Sequence, residues 1–375
     1  MIYLDYAATT PCRQEVLEAM LPYFATDFGN AASIDHAMGS RARKAVERAR
    51  EQVALLVGAA PEEVIFTSGS TESNNLVLNN ELPVITSAIE HPSILDPVLK
   101  SRGELPSRIL PVSSEGVLGE GDLERALEEA ARPLLVTIMF VNNELGTVQE
   151  IRRLGSLTHR CGSFFHSDIT QAMLTQEVSM KTDDVDAVSL SAHKIYGPKG
   201  VGALVSRSGL RRIIRPRQFG GGHERGLRSG TLNVPGIVGF GEAARLVRGE
   251  RDSNRSHVVG VRTAFTTALK RAFEGELVIN GSVDVSPHIC SIQLKGVNNR
   301  ALLQATAKEL CFSLGSACAT NKSEPSHVLL AIGKTKAEAN ETIRISFGLN
   351  SQAEESTLAA VLIADKANSL LSLAA

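Results

Sequence analysis

The sequence predicts an α/β protein whose main body is a mostly parallel sheet with helices on both faces, followed by a smaller α+β domain. Three observations carry this expectation. Short β-branched runs alternate with helix-length segments, several of those runs are apolar throughout instead of alternating, and the pattern changes after about residue 240.

Taken in chain order, "RARKAVERAREQVALLVG" sets Ala42, Ala45, Val46, Ala49, Val53 and Leu56 at steps of three and four before Gly58, an amphipathic helix with a glycine stop. The run "EVIFTSGS" reads as a strand ending in a Gly/Ser turn, and "TESNNLVL" after it starts like a capped helix. Further strand-like runs follow at "LPVITSA", "PLLVTIMFV", "SFFHSD", "DAVSLS" and "VGALVS", separated by turns or by helical segments such as "GDLERALEEAAR". A long polar helical stretch over roughly residues 241–273 then leads into "ELVINGS", "HICSIQLKG", the helical "NRALLQATAKEL", "TIRISFGL" and a final helix over about residues 354–373. There is no internal repeat, low-complexity segment or long linker.

Composition narrows the function classes. The 375 residues carry a net charge of −2 and no tryptophan, with aromatic residues at 4%. Neither a nucleic acid nor a membrane surface is the expected partner of such a chain. The start "MIYLDYAATTPC" lacks a basic and apolar leader, and no apolar run reaches about eighteen residues. A cytoplasmic, soluble protein is expected. Five scattered cysteines without a C-x-x-C pair support neither a disulfide framework nor a zinc site. Cys12, Cys161, Cys290 and Cys311 read as packing residues. Cys318 differs, because "SLGSACATN" surrounds it with small residues and no apolar periodicity. Arg211, Arg212, Arg215 and Arg217 read as a solvated face.

In open parallel sheets ligands bind beyond the carboxyl ends of the strands, and polar residues gather at those ends here. "PLLVTIMFV" runs into Asn142, Asn143 and Glu144; "SFFHSD" ends in Asp168, with Gln171 soon after; "DAVSLS" ends in Ser191, followed by His193 and Lys194. A lysine able to form a Schiff base, an upstream carboxylate able to pair with a protonated pyridine nitrogen and a phosphate cradle at "SGSTES" are the protein's parts of a pyridoxal phosphate site. The cradle would use Gly69, Ser70 and Thr71. A free lysine, with a pKa near ~10.4, is a poor nucleophile at neutral pH and needs such a site. Lys199, in a tight turn between Pro198 and Gly200, reads as solvated.

These residues lie in blocks that resemble the cysteine desulfurases of the NifS/IscS type, within fold type I of the pyridoxal phosphate enzymes. "YLDYAATTP", "FGN", "FTSGSTESNNL", "EHPS", "VNNELG", "FHSDITQA", "SAHKIYGPKGVGAL", "GGGHERGLRSGTLNVPGIVGFG", "SLGSAC", "SHVLLAIG" and "IRISFG" occur in the family's order over nearly the whole chain. The resemblance implies a seven-stranded, mostly parallel sheet in a large cofactor-binding domain over residues 15–255. Residues 1–14 and 256–375 would form the small α+β domain carrying the cysteine segment.

It also implies roles. Lys194 would hold the cofactor, Asp168 would pair with the pyridine nitrogen, Gln171 would bond the ring hydroxyl, and His91 would stack on the ring and move protons. Ser70, Thr71, Ser191 and His193 would hold the phosphate, joined by Thr231 of the partner subunit in a homodimer. Arg344 would clamp the substrate carboxylate, with Asn143 beside it and in reach of the cofactor. Cys318 would be the nucleophile that takes sulfur from L-cysteine as a persulfide, leaving L-alanine, and passes it to an acceptor protein. The family usually has a small polar residue where Leu314 stands, and a C-terminal extension beyond "LSLAA" by which housekeeping members engage an iron–sulfur scaffold. Iron–sulfur assembly, tRNA thiolation and DNA phosphorothioation are therefore equally open as destinations. An aminotransferase or selenocysteine lyase on the same fold is the alternative enzyme, and a silent adaptor is the alternative outside enzymes.

Overall fold

The apolar runs pair much as their composition suggests. The computed structural model describes residues 1–100, 103, 105–282, 284–315 and 325–374, so Cys318 lies outside the described residues. Its strands are β1 (Ile2–Tyr3), β2 (Val64–Thr67), β3 (Val84–Ser87), β4 (Ser107–Leu110), β5 (Leu135–Thr137), β6 (Phe164–Asp168), β7 (Ala187–Ser191), β8 (Gly202–Ser206), β9 (Leu277–Asn280), β10 (Ile289–Leu294), β11 (Leu310–Cys311) and β12 (Thr342–Ser346). Seven form one sheet in the order β2-β8-β7-β6-β5-β3-β4. Its pairings are parallel except those of β8, which runs antiparallel to both neighbours. β5 to β8 are buried at nearly every position, as continuous apolar runs between two helical layers require.

A second core forms around the antiparallel β9, β10 and β12, where Cys290, Ile292, Ile343, Ile345 and Phe347 pack with Phe265 and Leu269 and with the helix Ala353–Ala374. The chain start belongs here too: β1 pairs in parallel with β11, and Leu4 is buried in this core. A strand in "MIYLDY" had no sequence signal, because two residues paired with a segment some three hundred positions away leave no local pattern.

One helix, Val234–Ala272, serves both cores: Ile237, Phe240, Ala243 and Val247 pack in the first and Val258, Val261, Phe265 and Leu269 in the second. It starts seven residues before the helical stretch expected at 241, where Asn233 caps the Gly236 N–H at 3.1 Å and Pro235 occupies the first turn. Glycines hid this start. Gly241 faces the helix Ala37–Leu56 so closely that a β-carbon would sit 2.6 Å from the Ala49 Cα, so the residue that looks like a breaker is what lets the two helices touch.

The run 133–141 forms a strand over three residues only. Beyond Thr137 the Met139 N–H turns to the buried Glu90 carboxyl, at 2.9 and 3.0 Å, which ends the ladder with β3. Among the described residues no helix is long and apolar enough to cross a membrane.

Candidate active site

β5, β6 and β7 are parallel neighbours, so their carboxyl ends open on one side. Asp168 closes β6 and Ser191 closes β7, and a single turn, Ala192–Lys194, then carries His193 and Lys194 off the strand. The chain start braces that turn: the Thr10 hydroxyl donates to the His193 carbonyl at 2.9 Å and accepts from the Tyr196 N–H at 3.0 Å. Lys194 Nζ donates to the Ala8 carbonyl at 2.8 Å and also to that of Ala7. The Gln171 amide donates to the same Ala7 carbonyl at 2.8 Å, so lysine and glutamine meet at one backbone oxygen.

Asp168, 5% exposed, accepts from the Thr170 N–H at 3.0 Å and from Asn74 Nδ2 at 2.7 Å. The same Asn74 nitrogen donates to the Ser93 hydroxyl at 2.8 Å, and both the Ser93 N–H (3.1 Å) and hydroxyl (2.7 Å) meet His91 Nδ1. Because a backbone N–H only donates, Nδ1 accepts and the imidazole proton sits on Nε2. Burial pushes the His91 pKa down, with Asp168 opposing and Lys194 adding to the shift; His91 is thus a neutral base at pH 7. Asn74 and Ser93 were not singled out in the sequence. The only trace of Asn74 is its position four residues after Ser70, one helical turn on.

Behind Gln171 runs a further chain. Thr175 Oγ1 meets Ser286 Oγ at 2.8 Å, Ser286 Oγ meets His288 Nδ1 at 2.8 Å, and His288 Nε2 lies 3.3 Å from Gln171 Oε1. Burial, with the charges of Lys194, Arg262 and Arg344, pushes His288 down to about 3. The neutral ring therefore donates from Nε2 to the amide oxygen, which turns the Gln171 nitrogen toward Ala7.

The residues expected to form the phosphate cradle sit where β2 runs into the helix Ser70–Val77. That helix has Gly69 as its N-cap and no side-chain cap, so it starts one residue earlier than "TESNN" suggested and keeps its first-turn N–H groups uncapped. Gly202 on β8 lies against this turn; a β-carbon there would be 2.7 Å from the Gly69 Cα, so only glycine permits the approach. Ser70 is half-buried and Thr71 exposed. His193 meets Thr9 Oγ1 at 3.1 Å and is pushed down to about 4 by burial and then by Lys194 and Lys199, so it is uncharged at pH 7.

Arg344, on β12 and 3% exposed, donates to the Asn143 carbonyl at 2.9 Å and to Asp5 Oδ1 at 2.8 Å. Its Nε is buried with no partner among the described residues. The Arg344 N–H also donates to the Ser313 carbonyl at 2.7 Å, so the chain just before Leu314 pairs with the arginine's own strand. Leu314 packs on the second core. Thr231 is exposed, and no described contact joins it to the cluster around Lys194.

The model of the aminotransferase class-V family matches residues 2–357. This chain belongs to that family. Among relatives of the family, "Cysteine desulfurase IscS" of Anaeromyxobacter sp. (strain Fw109-5) is 43% identical, over 98% of this chain and 93% of its own. A solved structure described as a NifS-like protein superposes with a TM-score of 0.88 at 32% identity, covering 99% of each chain. Another, described as SspA in complex with cysteine, gives 0.79 at 34% identity, over 93% of this chain and 99% of that one.

Class-V aminotransferases of this kind depend on pyridoxal phosphate, and the residues present fit it. An amine, a buried carboxylate, a carboxamide and an uncapped helix start converge at the strand ends, while Thr170 Oγ1, Ser167 Oγ and Asn74 Oδ1 around Asp168 are buried without a partner among the described residues. No cluster of metal-ligating side chains occurs among them.

Proposed function

We propose that this chain is a cysteine desulfurase, taking sulfur from L-cysteine, leaving L-alanine and holding the sulfur as a persulfide on Cys318. The observation that carries the proposal is the meeting of Lys194 and Gln171 at the Ala7 carbonyl beside the Asp168–Asn74–Ser93–His91 chain. Full-length similarity to proteins named cysteine desulfurase supports it.

Bound pyridoxal phosphate supplies an aldehyde that captures the substrate amine and a ring that takes up the electron pair released at Cα. Lys194 would hold it and, once displaced, remove the Cα proton. Asp168 keeps the ring nitrogen protonated. Neutral His91 presents its Nε2 proton to the site, Ser70, Thr71, Ser191 and His193 hold the phosphate, and Arg344 with Asn143 fixes the substrate carboxylate. The Cys318 thiolate attacks the substrate sulfur: an S–S bond forms, the C–S bond breaks with its electron pair left on the carbon side, and protonation of Cβ together with return of the proton from Lys194 to Cα gives alanine.

Residues 15–255 would act as the cofactor domain and residues 1–14 with 256–375 as the smaller one, a division supported by the two cores. A homodimer in which Thr231 completes the site of the other subunit is supported by the exposure of Thr231 and by Leu21, Phe24 and Phe28, each more than 60% exposed. The enzyme would work in the cytoplasm and hand sulfur to an acceptor protein. Persulfide transfer to purified acceptors of iron–sulfur assembly, tRNA thiolation and DNA phosphorothioation decides the pathway.

The test is to supply L-cysteine and measure alanine, sulfide and protein persulfide. The parent protein should form all three, and Cys318→Ala should form no persulfide and near-background alanine. Alanine at the parent rate from Cys318→Ala would remove that thiol from the mechanism; amino-group transfer to a keto acid in place of sulfur release would make the chain an aminotransferase.

A further inference from the structure

β2 is the terminal strand of the sheet on the cradle side, and a strand edge leaves N–H and C=O groups without neighbours. Here two side chains take the place of the missing strand. Arg50 Nη1 donates to the Val64 carbonyl at 2.9 Å, and the Phe66 N–H donates to Glu224 Oε2 at 2.8 Å. Arg50 and Glu224 are joined by paired bonds of 2.8 Å each, with the guanidinium 4.8 Å over the Phe66 ring. Their side chains are 3% and 2% exposed.

A second attachment lies one turn away. Arg228 Nε bonds Glu72 Oε1 at 3.0 Å, and Glu72 Oε2 accepts from the Ser68 N–H at 2.7 Å. Residues 219–230 thus grip both the strand that enters the cradle and the helix that leaves it. Glu224 and Arg225 have φ of +46° and +58°, the left-handed region that residues with side chains adopt only when their surroundings hold them there. The three bonds to the Glu224 carboxylate do so, and Thr231 follows directly.

We propose that the Arg50–Glu224 pair is a positioning clamp that ties residues 219–230 to the phosphate cradle, so that cofactor occupancy in a subunit and the ordering of the segment carrying Thr231 rise and fall together. This rests on reading residues 69–71 as the cradle and Thr231 as the residue given to the other subunit. Linkage makes the effect reciprocal: a cofactor that fixes the cradle fixes the segment, and loosening the segment weakens cofactor retention.

The test compares amide exchange in residues 219–230, with and without pyridoxal phosphate, in the parent protein, Glu224→Gln and the double variant Arg50→Met/Glu224→Leu. The double variant replaces the ion pair with apolar volume and should keep the fold. In the parent, cofactor should slow exchange in this segment roughly tenfold. Both variants should lose most of that protection and release cofactor roughly tenfold faster, read as loss of visible absorbance once free cofactor is removed. A merely structural pair would raise exchange throughout the chain and leave the cofactor-dependent protection intact. Equal protection in all three proteins, or none in the parent, overturns the clamp. Borohydride labelling separates the failures: a pyridoxyl group on Lys194 without coupling sinks the clamp alone, and no label sinks the cofactor site beneath it.

Discussion

The centre and the edge of the seven-stranded sheet both bury polar groups, and they treat them in opposite ways. At the edge, Arg50 and Glu224 satisfy each other and the outer backbone of β2. At the centre, around Asp168, Ser167 Oγ, Thr170 Oγ1 and Asn74 Oδ1 are buried without partners among the described residues, and His91 and His193 are held neutral by burial. The two carboxyls make the contrast sharpest. Glu224 has a cation against it, whereas Glu90, fully buried and accepting, among the described residues, from the Ser87 hydroxyl and the Met139 N–H alone, is pushed up to about 8. A cation beside a buried carboxyl favours its charged form, and burial without one favours the protonated form. The unpaired atoms around Asp168 thus lie at the candidate site, while Arg50 and Glu224 leave none of their own atoms unpaired.

The largest effect should come from the centre. Lys194→Ala should lower alanine formation by about a thousandfold or more, while chemical unfolding of the cofactor-free protein shifts little. A large stability loss in that variant would mean that the lysine braces the chain start through Ala7 and Ala8 and is not held for chemistry. At the edge the order should invert: Arg50→Ala leaves Glu224 buried without its cation and should cost about 3–5 kcal/mol in urea unfolding. Arg50→Met/Glu224→Leu should recover most of that loss.

Glu90 should give a smaller, pH-dependent effect. Its folded pKa lies above the unfolded 4.5, so its contribution is fully present below about 4.5 and is lost as pH rises to about 8. Glu90→Gln, which cannot ionise, should flatten the stability profile across that window by up to about 1.4 kcal/mol per pH unit. A profile unchanged by the substitution would show that Glu90 is already ionised in the folded protein. Smallest of all should be Glu129→Gln, which breaks the ion pair with Arg108; with those side chains 62% and 47% exposed, the change should stay within about 0.5 kcal/mol. A cost like that of Arg50→Ala would show that burial is not what separates these pairs.

Alternation of apolar runs and amphipathic segments, which depends only on neighbours in the chain, was enough to anticipate six of the seven strands of the large sheet, the long helices Ala37–Leu56, Val234–Ala272 and Ala353–Ala374, and the polar strand ends; β4 fell in none of the runs. The quoted blocks placed Lys194, Asp168, Gln171 and His91 in one site, and the structure brings them to the same strand ends. Asn74 and His288 escaped notice because each acts through a partner distant in the chain, Asp168 94 positions from Asn74 and Gln171 117 from His288, and an asparagine in a helix reads as solvated until its neighbour is known.

The sequence by itself determined which residue types are available and in what local periodicity, because strand and helix patterns follow from how side chains alternate along a backbone. Only the tertiary structure decided which of them lose water together. It placed Ala7 and Ala8, residues with no functional side chain, so that their carbonyls receive Lys194. It turned Arg50, one of several arginines on an amphipathic helix, into a buried partner of Glu224. It also made Glu90 a protonated acid. Charge state, tautomer and pairing depend on what desolvates a group and which dipoles face it, and those are properties of packing that no local pattern encodes.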